Sequence, residues 1–254
     1  VTGFGAFLRK ELLEIPRTWR IWVLPLLVLV FALTSPVLAL FIPRLVASVA
    51  GSQPGVVVRL PEPMAVDGYE QFLKNLNQIV LIAIIVTGAG AVSGERRAGT
   101  AGLVLTKPLS RAAFVAAKIV SQSTLIVVTT AAGTGICIAM TVLCFGASPV
   151  AAFLAAVSLW LVYALLMVVI MTFVSTLFRA QGGAVGLGLA VYFGGIVLGV
   201  WPAVADRTPV GLPLAAWDVL SGDPVTIAWP LGTAVATAMV AAIAAVKVFE
   251  TKEL

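Results

Sequence analysis

Six long apolar runs, at 22–42, 76–93, 112–145, 150–178, 185–204 and 227–249, leave this chain few folds to choose from. A hydrocarbon core about 30 Å thick takes roughly 20 apolar residues of helix to cross. The 76–93 run is the shortest, and it reaches that length only if part of its polar lead-in, 73–78, is helical too, which places its start near Leu76. The runs are continuously apolar, whereas strands of a membrane barrel alternate over about ten residues, so helices are expected. Apolar residues make up 61% of the chain and charged ones 11%, which excludes an ordinary soluble domain. The expected fold is an all-α integral membrane protein with six transmembrane helices, forming one domain over residues 1–254.

Between the second and third runs lies a charged, turn-rich stretch, GERRAGTAGLVLTKPLSR, at 94–111. Placing its Glu95, Arg96, Arg97, Lys107 and Arg111 at bilayer depth would cost about 12 to 18 kcal/mol, at about 2.5 to 3.5 for each charge. The stretch therefore belongs outside the lipid. The side follows from where Lys and Arg fall. With the amino terminus inside, twelve lie on inner segments, including Arg9, Lys10, Arg17, Arg20, Arg179 and Lys247, against Arg44, Arg59, Lys74 and Arg207 outside. That bias predicts a multi-pass protein of the cytoplasmic membrane with both termini cytoplasmic. The net charge of +5 then reads as topology and contact with anionic lipid headgroups, and calls for no nucleic-acid partner.

Ahead of the first run, 3–17 reads as an amphipathic interfacial helix, with Phe4, Phe7, Leu8, Leu12 and Ile15 on one arc and Arg9, Lys10 and Arg17 opposite. Glu11 falls inside the apolar arc, where a bare carboxylate is costly. It is expected to find a cationic or backbone partner on the 94–111 stretch or a neighbouring helix end. The run at 22–42 is too long for a signal-peptide core and lacks a small-residue cleavage site after it, so it is expected to stay as an anchor. The third run would be about 51 Å long as one helix. Its surplus is expected to project into the cytosol and carry Lys118 to headgroups or water. The outer segments at 44–74 and 205–226 are rich in Pro and Gly. Asp206, Asp218 and Asp223 in the second read as caps and turn formers rather than a cation site. Cys137 and Cys144 are seven residues apart on one helix, about 10 Å in rise, too far to pair. With Met140 they share a face whose sulfurs suit Cu(I), though such residues are ordinary in lipid, and no metal is expected.

The 94–111 stretch resembles the permease subunits of ABC-2 type transporters. Their inner loop carries a Glu, a Gly-Thr pair, a few apolar residues, a Pro, a Ser-Arg step and a Lys entering the next helix. Here those elements are Glu95, Gly99, Thr100, Leu103, Leu105, Pro108, Ser110, Arg111 and Lys118. The early Arg9-Lys10-Glu11-Leu12 and the six spans are similar to that family as well. The resemblance implies a cytoplasmic coupling helix between spans two and three that docks on a separate ABC ATPase subunit. Arg96 and Arg97 would offer charge-assisted bonds, Gly99 and Gly102 close approach, and Pro108 the turn into the third span. An ordinary orientation-setting basic loop is the plainer alternative.

No G-x-x-x-x-G-K-[ST] occurs in the chain, so it is expected to hold no cofactor itself, and ATP and Mg would be used by the partner ATPase. The chain also has no His, which removes triads and imidazole acid-base chemistry, and no catalytic site is expected. In the fifth run, Gly182 with Gly186 and Gly195 with Gly199 form two small-xxx-small pairs that allow close helix approach. The resemblance implies two permease copies, identical or closely related, and makes this glycine face a candidate dimer seam or pathway wall. The expected function is the permease subunit of an ATP-driven transporter, an exporter. The alternatives are an ion-gradient-driven secondary transporter, which calls for charges at mid-depth, and a membrane-embedded lipid transferase, which calls for clustered acids. Substrate identity does not follow from these residues.

Overall fold

The computed structural model describes residues 2–14, 20–50, 62–94, 110–178 and 180–251, and among them every regular element is helical. Six helices are long and apolar enough to cross a membrane, which makes this an all-α integral membrane protein.

A short helix, α1 (Thr2–Glu14), precedes them. It turns Phe7 and Glu11, one turn apart, inward, while Leu12 and Leu13 stay exposed. The inward face is therefore narrower than the arc read from sequence. Residues 15–17 of that arc lie outside the described residues.

The first long helix, α2 (Arg20–Ala50), runs past 42 and contains Pro25, Pro36 and Pro43. Its neighbour α3 (Ala65–Asn75) continues through a π turn (Leu76–Val80) into α4 (Leu81–Ala89), a single span of 25 residues. This span starts eleven residues before Leu76. Hydropathy missed the first part because Asp67, Glu70, Gln71 and Lys74 lower its average, yet they share a face opposite buried Tyr69, Phe72, Leu73 and Leu76. Gly68 allows close approach to α2: a Cβ there would stand 3.1 Å from the Pro36 Cα.

Helix α5 (Arg111–Phe145) opens on a Ser110 cap, whose Oγ accepts from the Ala113 N–H at 3.1 Å. Helix α6 (Val150–Leu177) is the hub: α4, α5 and three later helices pack around it, and Trp160, Met167, Val168 and Met171 are buried within. That explains a span that is apolar on every side. The fifth long helix, α7 (Gln181–Leu198), starts earlier and stops sooner than the 185–204 reading. Pro202 cannot continue it and instead begins a separate turn, α8 (Pro202–Ala205). After a 3₁₀ turn (Pro209–Gly211) comes α9 (Leu212–Ser221), too short to span, which lays Leu212, Ala215, Ala216 and Leu220 against α6. Gly222, at φ 83°, ends it in the left-handed conformation. The segment at 205–226 is thus largely helical rather than a plain loop, and Asp206, Asp218 and Asp223 lie exposed along it. The last helix, α10 (Ala228–Thr251), returns along the hub.

Both ends of the described chain meet at one end of the bundle, where Phe7 of α1 and Phe249 of α10 flank Phe114 of α5 with ring centroids 5.2 Å apart on each side. At the opposite end Tyr69 stacks on Phe153 at 3.9 Å, and its hydroxyl bonds the Ser148 Oγ at 2.8 Å.

Candidate coupling site

Chemistry-bearing side chains concentrate at the end of the bundle where α1, the start of α5 and the tail of α10 meet. Lys118 lies in the second turn of α5 and Glu11 in the last turn of α1, and they approach to 2.7 Å with 6% and 7% of their surfaces exposed. The surplus length of α5 is therefore sheathed by α1 and α10, and Lys118 is not in headgroups or water. Its acidic partner comes from α1 and not from a span. The Lys118 Nζ lies 5.6 Å from the centroid of the Phe114 ring and 5.9 Å from that of Phe7. Such aromatic faces attract a desolvated cation. Lys10 extends the cluster, 3.4 Å from Glu11 and 3.0 Å from Glu14. Arg9 is exposed beside it.

Two further anchors hold the described residues on either side of 95–109. On the leaving side, the Ser175 hydroxyl near the end of α6 accepts from the Val92 and Ser93 N–H groups at 3.0 Å each. It also donates to the Ala89 carbonyl at 2.7 Å. One hydroxyl thus satisfies three backbone groups freed where α4 ends. On the entering side, the Arg111 guanidinium donates to the Phe249 carbonyl at 2.9 Å and to the Glu250 carbonyl. A cation on the last carbonyls of α10 complements that helix's negative end. Of the residues read from sequence as coupling, Arg111 is placed here. Glu95, Arg96, Arg97, Gly99, Thr100, Leu103, Leu105 and Pro108 lie outside the described residues.

The glycines of α7 separate into two kinds. Gly182 and Gly186 are exposed, and a Cβ at either would meet nothing. Gly195 is buried, with a Cβ there 3.2 Å from Val210 Cγ1, and Gly199 sits beside Leu214. Tightest of all is Gly188, which the pair pattern skips: a Cβ there would run into Met171 and Ile85. Spacing finds small residues but does not say which way they face.

Residues 6–212 match the model of the ABC-2 family transporter protein family. The chain belongs to that family. This ABC-2 transporter protein is also similar to the uncharacterized transmembrane protein YxlG of Bacillus subtilis (strain 168), with 25% identity over 186 residues, 73% of this chain and 72% of that one. The matched region opens inside α1, five residues before Glu11, and takes in the first five long helices. Its membership makes the chain a membrane-embedded permease of ABC transporter type.

Proposed function

We propose that this permease is the passive half of an ATP-driven exporter of the cell membrane, working as a dimer with two separate ABC ATPase subunits. The termini and the 95–109 segment would face the cytosol. That segment would form the coupling helix, with Arg96, Arg97 and the apolar Leu103 and Leu105 docking on the ATPase. The observation that carries this reading is the anchoring of the described residues on both sides of 95–109. Val92 before it is fixed to α6 through Ser175, and α5 after it to α10 through Arg111 and to α1 through Lys118 and Glu11. A displacement applied to the segment is thereby passed to three helices at once, which lets a remote engine tilt a packed bundle. The exposed Gly182 and Gly186 on α7 suit a seam with a second copy.

Co-purification with a candidate ATPase tests the assignment. Stoichiometric capture is expected from the native chain and is expected to fall at least tenfold with Arg96→Glu and Arg97→Glu together. Undiminished capture by that double variant refutes the docking role.

A further inference from the structure

Between the π turn, α6, α7 and the 209–214 segment lies a cavity of about 350 Å³. That size falls at the small end of ligand pockets. Its apolar wall is built by Ile196, Val200, Val210, Pro213 and Leu214, and among the described residues no charged side chain lines it.

Its polar groups are arranged differently from those of a packed core. The Asn77 Oδ1 is buried and has no hydrogen-bond partner among the described residues. Buried amides are normally satisfied, because an unmet acceptor gives up its bond to water for nothing in return. Tyr163, 6% exposed, also lines the cavity, and its hydroxyl has no hydrogen-bond partner among the described residues. The space in front of it depends on Gly195, where a Cβ would stand 3.6 Å from the Tyr163 Oη and 3.2 Å from Val210 Cγ1. Tyr192, by contrast, is committed: its hydroxyl donates to the Asn77 backbone carbonyl at 2.6 Å. In an α-helix that carbonyl would accept from position 81, and the π turn leaves it free for Tyr192. The same winding sets Asn77 and Gln78 at the junction with a second, outer cavity of about 560 Å³, bordered by Asp67, Glu70 and Lys74.

We propose that the inner cavity binds a compact, neutral amphiphile with an aromatic or alicyclic body and one hydroxyl, held between the Asn77 side chain and the Tyr163 hydroxyl. The proposal names the substrate class of the transport reading and rests on that reading for the ligand's onward passage. Neutrality follows from the uncharged lining, since a desolvated charge would find no counter-ion there. A hydroxyl both donates and accepts, so it satisfies the Asn77 amide in either orientation together with the Tyr163 hydroxyl. The apolar wall takes the body. A site built around unmet polar groups rejects an analogue whose hydroxyl is capped far better than it rejects one of altered shape.

The test uses the full chain in nanodiscs, with 1-naphthol and its methyl ether, 1-methoxynaphthalene, as probes and empty discs as the baseline. Saturable binding of naphthol is expected, with the ether weaker by about tenfold. Tyr163→Phe keeps the ring and its packing, and is expected to cut naphthol's advantage over the ether to less than about threefold. Gly195→Val is expected to abolish binding of both probes by filling the cavity, while Gly232→Val, at an open and exposed position on α10, leaves it unchanged. Binding no greater than to empty discs, or native affinity retained in both Tyr163→Phe and Gly195→Val, overturns the proposal. Capture of the ATPase is scored in the same preparations. Naphthol binding without ATPase capture sinks the transport reading alone, and capture without naphthol binding sinks the cavity assignment alone.

Discussion

Lys118 of α5 holds Glu11 of α1 at 2.7 Å beneath the rings of Phe7 and Phe114, so the short first helix is riveted to the third span by a buried ion pair. Such a pair adds little net stability over a well-packed apolar replacement, but breaking half of it strands a charge. We expect Lys118→Met to cost about 3–5 kcal/mol and Glu11→Gln with Lys118→Met to recover most of that loss. Thermal unfolding in detergent reads both. Equal melting temperatures for the native chain and Lys118→Met would mean that Lys10, 3.4 Å from the carboxylate, takes over from Lys118.

Arg111→Ala removes the donor to the last carbonyls of α10. Charged hydrogen bonds of this kind are worth about 1.5–3 kcal/mol. The expected result is local fraying, seen as faster amide exchange at 246–251 with little change in the middle of α10. Unaltered exchange there would show that the Phe114 and Phe249 stack holds the tail by itself.

Ser175→Ala leaves the buried Val92 and Ser93 N–H groups without their acceptor. Each orphaned donor costs about 1–3 kcal/mol. We expect limited proteolysis within 95–109 to accelerate by at least tenfold, whereas Ser158→Ala, at an exposed site on the same helix, leaves the rate as it was.

Gly188→Leu and Gly186→Leu should behave oppositely although they lie two residues apart. The first drives a side chain into Met171 and Ile85, and a low yield of folded protein is expected. The second projects into open space, so the protomer should fold normally while cross-linking between copies drops. Normal cross-linking in folded Gly186→Leu would move the seam to another helix.

Span number and fold class were legible because continuous apolar length is a property of the sequence alone. The partner of Glu11 was legible only in kind, as a cation near a helix end. Its identity depends on α1 lying along α5, a tertiary fact that no local pattern carries. Lys118 looked like a snorkelling residue because the sheath formed by α1 and α10 cannot be seen from within the third run. The start of α3 was lost to averaging, since Asp67, Glu70 and Lys74 on one face masked Tyr69, Phe72 and Leu73 on the other. The Asn77 and Tyr163 cavity left no sequence signal of its own, because its polar groups come from separate spans and its space from one glycine.

The π turn at Leu76–Val80 also settles a question of phase. At about 100° per residue, the stripe of Tyr69, Phe72, Leu73 and Leu76 would sit roughly a third of a turn away from that of Leu81, Ile84, Ile85 and Gly88 if the winding were uniform. One surplus residue cancels the offset, so both halves of the span bury the same side. Deleting a single amino acid within 76–80 would therefore do more harm than its size suggests. It would swing the aromatic half of the span by about 100° and present Tyr69 and Phe72 to the wrong neighbours.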